Sequence, residues 1–269
     1  MARYKKKRAR ELKQDKFRDA AMSLFDHLGG RLEGQGRSIL YGIVGIVLLA
    51  TIVGFWIKWS NRKADEARHA LGRAITIASA PVSQTPAPGS TTPSFTSEQE
   101  RAQKAIEEFQ KVAAKYGDPY RTEARYFIAT NLLYVDRNKG ISELTELTGS
   151  TDGDVATLAK FALAQAKESD GKYDEAAVLY RDLAGQNSAI VTPETANLRV
   201  AMVYKKQGKK KEAADLLFTL VDSSRKGKDQ NGAPLPQSAA ARDAAKELQK
   251  LDPARYAQLP PELPPDLAF

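Results

Sequence analysis

The sequence predicts an all-α protein: a single N-terminal transmembrane helix followed by a solenoid of helical hairpins. Three observations carry that expectation. Residues 39–57 run for nineteen positions without a charge, apolar residues beyond them recur every three to four positions, and one helix-turn-helix pattern returns thirty-seven residues after its first appearance. An apolar run of that length spans a bilayer, a 3.6-residue period marks a helix with one buried face, and a fixed repeat of roughly 20–50 residues marks stacked supersecondary units.

Composition narrows the function classes before any element is placed. The 269 residues are 42% hydrophobic and 28% charged, enough for one or two compact domains and unlike a disordered chain. With no cysteine, disulfides, thiolate metal sites and a cysteine nucleophile are excluded. Two histidines, His27 and His69, lie on opposite sides of the apolar run, which argues against a multi-histidine metal centre and most histidine-based catalysis. The net charge of +8 is concentrated at one end: residues 1–38 hold eleven Lys/Arg against five Asp/Glu, whereas residues 58–269 hold thirty against twenty-eight. A nucleic-acid-binding domain spreads positive charge over its folded body. Here that body is nearly neutral, so no nucleic-acid partner is expected.

Residues 1–38 read as a basic cytoplasmic tail. Leu12, Ala20, Ala21, Leu24, Phe25 and Leu28 recur near helical spacing, with Lys and Arg on the other face. Such a segment is either a second anchor on anionic lipid, at about 1 kcal/mol per basic residue near the surface, or a solvated helix that only sets topology. The transmembrane helix covers 39–59. At about 1.5 Å per residue the apolar run spans roughly 28 Å of hydrocarbon, and Trp56 and Trp59 suit the headgroup interface. Thirty-eight residues precede the run, and the nearest A-x-A pattern, Ala78-Ser79-Ala80, lies about twenty residues beyond it, so the segment reads as an uncleaved signal-anchor. Close to the run, two basic residues on the amino side face five on the carboxyl side, which favours an external amino terminus. The short tail counts in full, however, and all eleven of its basic residues would then have to cross. The expected amino terminus is therefore cytoplasmic.

Residues 60–251 form the expected helical domain. Ala67, Ala70, Leu71, Ala74 and Ala78 carry the period beyond the membrane as a stalk or first helix. Residues 79–97, with four prolines, nine Ser/Thr and no charge, are an insertion expected to loop between two helices. Ser97-x-x-Glu100 is a capping box that opens a helix with Ala102, Ala105, Phe109 and Val112 on its apolar face; Gly117 ends it, and Asp118-Pro119 offers the next helix a cap and a first-position proline. Further apolar stripes follow at Ala124/Phe127/Leu132, Ile141/Leu144/Leu147, Val155/Ala159/Leu163, Ala176/Ala177/Tyr180, Val200/Ala201/Tyr204 and Leu217/Leu220/Val221. No stretch there alternates with period two, so strands are not needed. Residues 238–251 form a last helix that caps the exposed end of the solenoid, closed by Asp252-Pro253. The proline-rich tail, 252–269, is expected to be extended.

The helices pair, and two pairs match: Leu163-Ala164, Gly171, Tyr173, Ala176 and Tyr180 against Val200-Ala201, Gly208, Lys210, Ala213 and Leu217, at identical internal spacing. The thirty-seven-residue offset is close to the roughly thirty-four-residue tetratricopeptide period, and Gly-Lys-Tyr-Asp-Glu-Ala at 171–176 looks like the centre of that repeat. The unit at 120–149 is degenerate, with Gly140 and Glu143 where small or apolar residues would help packing. The expected count is three to four repeats.

A basic tail containing Arg10-Glu11-Leu12-Lys13-Gln14-Asp15-Lys16-Phe17, one membrane helix and a divergent repeat domain together resemble the bacterial membrane-anchored tetratricopeptide family of ancillary Sec-translocon subunits, the YfgM type. The resemblance spans about residues 10–251; the 79–97 insertion and the long tail depart from it. It implies a single-pass inner-membrane protein with its repeats in the periplasm, touching the translocon and periplasmic chaperones. By the same resemblance the groove-facing residues include Phe161, Gln165 and Glu168, then Leu198, Met202 and Lys205. No phosphate loop, nucleophile elbow or metal-spaced ligand set is present, so no catalytic residue, cofactor, metal or small-molecule substrate is expected. The leading functional expectation is a membrane-anchored scaffold or adaptor that binds proteins. A coordinator of cell division or envelope assembly, and a self-associating structural protein, stand as alternatives.

Overall fold

The computed structural model describes residues 36–83 and 93–262; within these, the side chains of 36–49 and of Gly54, Trp56, Ile57, Trp59 and Asn61 fall outside the description. The expected tail helix, the middle of the 79–97 insertion and the end of the proline-rich tail lie outside the described residues. The chain divides into two compact units, Met1–Asp65 and Glu66–Phe269. Helix α1 (Gly36–Ala78) supplies the described part of the first unit and the first packed helix of the second. Ile52 and Phe55 on it are exposed, at 67% and 73%. Among the described residues no helix is long and apolar enough to cross a membrane. Most side chains of the 39–57 run are outside that set, so the transmembrane expectation continues to rest on sequence.

The described part of the second unit is helical: α2 (Glu98–Lys115), α3 (Tyr120–Val135), α4 (Arg137–Leu147), α5 (Gly153–Ser169), α6 (Tyr173–Ala184), α7 (Pro193–Lys206), α8 (Lys210–Lys226), α9 (Ala239–Leu251) and the single turn α10 (Pro253–Tyr256). Among the described residues the only β pairing is two isolated bridges, Val82 with Phe95 and Lys228 with Pro234. From α2 onward each helix packs on the next along the chain, and α3 also meets α5 while α7 meets α9. This is a helical-repeat arrangement: hairpins stacked so that each closes the apolar side of its neighbour.

Local chemistry sets the boundaries. Ser97 accepts from the Glu100 amide at 3.1 Å, as a capping box requires, but the Glu100 carboxylate turns to the Thr96 amide (3.0 Å) and hydroxyl (2.6 Å) rather than to Ser97. At the next start, Pro119 itself takes the cap position, and the Asp118 carboxylate accepts from the Thr122 hydroxyl at 2.7 Å. Asp136, Asp152, Thr192 and Ser238 cap α4, α5, α7 and α9 through side-chain oxygens, each satisfying amides with no intrahelical acceptor.

The two matched turns fold identically. At the first, the Gly171 amide donates to the Glu168 carbonyl (3.2 Å) and the Lys172 amide to the Lys167 carbonyl (2.9 Å). At the second, Gly208 donates to Lys205 (3.1 Å) and Lys209 to Tyr204 (2.9 Å). Both glycines are left-handed, at φ 73° and 78°, the conformation this double-bonded helix ending needs. The ends of the insertion are joined as well: Ser83 donates to the Phe95 carbonyl (2.9 Å), Phe95 to that of Pro81 (3.2 Å), and Arg101 to that of Ala80 (3.3 Å). Beneath this junction Leu71 and Ala74 of α1 share a core with Ala105, Phe109 and Val112 of α2 and Ala124 of α3, where Phe109 stacks on Phe127 at 4.9 Å.

Two sequence readings need revision. Gly140, read as a flaw in the 120–149 unit, is where α4 comes closest to α3: a Cβ there would lie 2.8 Å from the Leu133 nitrogen and 3.0 Å from the Ala129 carbonyl oxygen. Residues 252–262, read as extended, form α10 and a return segment. Asp252-Pro253 acts as cap and first position of a new helix, and Tyr256 and Leu259 pack against the core that α8 and α9 form. Arg225, with a side chain only 4% exposed, donates to the Pro260 carbonyl, and Arg255 pairs with Asp215.

Replacing Gly140 with Ala is expected to destabilise the domain by about 1–3 kcal/mol, because the methyl group meets backbone that a rotamer change cannot move. Gly171→Ala, with open space around it, should cost about 1–2 kcal/mol from left-handed strain alone. Urea unfolding followed by circular dichroism measures both.

Candidate protein-binding face

The candidate site is the face made by the first helix of successive hairpins, α5 and α7, flanked by α3 and α9. The six residues that the sequence singles out all lie on α5 and α7. Phe161 is half-buried on α5, edge-on to the buried ring of Tyr180 at 5.7 Å and 64°. Gln165, one turn on, is exposed. On α7, Leu198 is half-buried against the core shared by α8 and α9, and Met202 is half-buried one turn later.

Glu168 and Lys205 are committed elsewhere. The Glu168 side chain is 9% exposed, and its two oxygens accept from the Tyr180 hydroxyl (2.9 Å) and the Lys206 ammonium (2.7 Å). A buried carboxylate is tolerable only with such donors, since its desolvation penalty otherwise dominates. Burial first, and the Glu168 charge second, push the Tyr180 phenol well above its ordinary range, so it stays a proton donor. Lys205 donates to Glu247 of α9 at 2.6 Å. That hydrogen bond is the main cause holding the Glu247 carboxyl below its usual value, and Lys250 assists at 3.1 Å. Ion pairs thus run from α5 to α7 and from α7 to α9, fixing the relative placement of three first helices. The contact surface left over is Phe161, Gln165, Leu198 and Met202.

Sequence reasoning missed Tyr180, Lys206 and Glu247 as members of this network, and Tyr126, which is half-buried on α3 against the core of α4 and α5. A signal was available for one of them: an acid in the last turn of α5 that faces the core side of the helix needs a donor, and Tyr180 is the phenol of the following helix. Among the described residues no group of three or more His, Asp or Glu side chains is placed to hold a metal ion. Comparison with family models, with curated proteins and with solved structures finds no match to this chain.

Tyr180→Phe should cost about 1–3 kcal/mol by leaving a buried carboxylate oxygen without its donor, and its cost should not add simply to that of Lys206→Met, because both donors serve one carboxylate. Urea unfolding of the two single variants and the double variant tests this. Because the folded pKa of Glu247 is depressed, its contribution is present above the unfolded value near 4.5 and is lost as pH falls through the folded value. Acid should therefore lower the melting temperature of the native chain more than that of Glu247→Gln.

Proposed function

We propose that the chain is a single-pass, membrane-anchored scaffold of the tetratricopeptide type, whose repeats bind proteins on the extracytoplasmic side near the Sec translocon and its chaperones. The observation that carries this reading is the pair of turns at Gly171 and Gly208 with the same hydrogen bonds and the same left-handed glycine, which join the hairpins whose first helices carry Phe161, Gln165, Leu198 and Met202. Stacked hairpins of this kind present a continuous surface for a helix or extended segment of another protein. The anchor rests on the nineteen-residue uncharged run, to which the exposed Ile52 and Phe55 add apolar surface that water would not favour. The placement near the translocon rests on the family resemblance in the order of parts. No catalytic step is assigned.

Two measurements test the reading. The chain has no cysteine, so Ser94→Cys and Ser223→Cys give clean labelling sites. A membrane-impermeant maleimide should modify both in intact cells, and labelling only after lysis would reverse the topology and remove the translocon reading. A photo-crosslinking amino acid at Gln165 or Met202 should capture translocon or chaperone subunits, whereas the same group at Val178, exposed on α6, should not. Adducts of the chain with itself alone would favour a self-associating structural protein.

A further inference from the structure

A cleft of about 480 Å³ lies between the start of α7, the carboxyl half of α8 and the α8–α9 linker. Its size falls within the roughly 300–1,000 Å³ of ligand pockets. Leu216 and Leu220 contribute its apolar side, and Leu235, 44% exposed, sits on the linker that borders it. Six polar residues line the same space; Thr219 and Ser238 bond within their own helices, which leaves Glu194, Asn197, Ser223 and Ser224. Among the described residues none of the four makes a side-chain hydrogen bond or ion pair. Glu194 thus differs from Glu168, Asp182, Asp215, Asp222 and Glu247, which are ion-paired, and resembles Glu212, which is not.

The electrostatics select the ligand. The amino end of α7 and the carbonyl end of α8 both border the cleft, and their opposed partial charges offset one another. What remains is the full charge of Glu194, the only ionised side chain among the described residues of the lining. A carboxamide from Asn197 offers both a donor and an acceptor, which matches a peptide group, and the two serine hydroxyls can turn either way. We infer that this cleft is a second polypeptide site, which takes an extended segment with a lysine or arginine seated on Glu194 and an aliphatic neighbour on Leu216 and Leu220.

The full chain in lipid nanodiscs serves for the test, with a fluorescein-labelled Gly-Ser-Leu-Lys-Leu-Ser-Gly peptide as probe and counterparts carrying norleucine or Glu in place of Lys. Fluorescence anisotropy should show saturable binding of the Lys peptide, at least roughly tenfold tighter than either counterpart, as one charge-assisted contact would give. Glu194→Gln should erase that preference, and Ser223→Trp, at an exposed position, should block binding by filling the cleft while leaving the circular dichroism unchanged. Gln165→Arg and Met202→Glu, at positions that do not line the cleft, should leave binding within about twofold, so this inference stands or falls separately from the proposed function. Equal binding of the Lys and norleucine peptides, unchanged binding by Glu194→Gln or Ser223→Trp, loss of binding in the Gln165→Arg or Met202→Glu variant, or no saturable binding would each overturn it.

Discussion

The close approach of neighbouring helices is the constraint on which the second unit depends. Its α2–α9 helices are short, between 11 and 18 residues, and helices of that length are marginal in water. They persist because each is packed on the next, and packing at interaxial distances of about 8–10 Å requires small side chains at the crossing points. Ala105, Ala124, Ala129, Ala159, Ala164 and Ala176 are fully buried, as are Ala196, Ala201, Ala213, Ala241 and Ala244 further along. Larger groups fill the spaces between crossings: Phe109, Leu144, Tyr180, Leu217 and Leu248 are all inaccessible. Gly140 is the extreme of the same rule, a crossing so tight that even a methyl group meets backbone.

Close packing orders a hairpin internally, but it does not by itself set one hairpin against the next. Polar contacts supply part of that second level. The Glu168 carboxylate reaches Tyr180 within its own hairpin and Lys206 in the following one, so a single buried group ties both levels together. Arg137, partly exposed, adds a tie between hairpins one step earlier, spanning from the start of α4 to the Asp170 carboxylate and the Ala166 carbonyl at the end of α5. A buried charge is a poor source of net stability, yet breaking it is costly, which makes it effective at penalising a wrong register. Phe161, Gln165, Leu198 and Met202 inherit their placement from those ties.

Much of this was legible from residues alone, and the failures have physical causes. Apolar periodicity located every hairpin helix, because one-sided burial leaves a 3.6-residue trace whatever the neighbour is. Gly171 and Gly208 were readable because a left-handed helix ending demands the same residue at the same offset each time. Gly140 was misread: the lack of a side chain registers as missing hydrophobicity, while its value lies in a distance that only the packed pair defines. Glu168 was placed on a binding groove because an acid in a last helical turn reads as surface, and its phenol partner stands twelve residues away across a turn. The segment after Asp252 read as extended from its prolines, although an Asp-Pro step suits a helix start as well as a helix end; only the buried Arg225, which belongs to another helix, decides between them.

Charge bookkeeping says how recognition on such a surface must work. Residues 58–269 carry thirty basic and twenty-eight acidic side chains, and many of those in the helical stack are paired with one another. A nearly neutral, internally paired surface produces little long-range field, so partners are not drawn in by electrostatic steering. Under the proposed function, selection comes from short-range features: the half-buried Phe161, Leu198 and Met202, the free amide of Gln165, and the unpaired carboxylate of Glu194. Contacts of that size are individually weak. The proposed membrane tether would change the arithmetic, since holding the stack and a partner at one membrane raises their effective concentration and lets modest interfaces be occupied without new contacts. A nearly neutral helical stack and a basic, apolar amino-terminal segment therefore suit the arrangement proposed above, in which an anchor supplies proximity and the stack supplies discrimination.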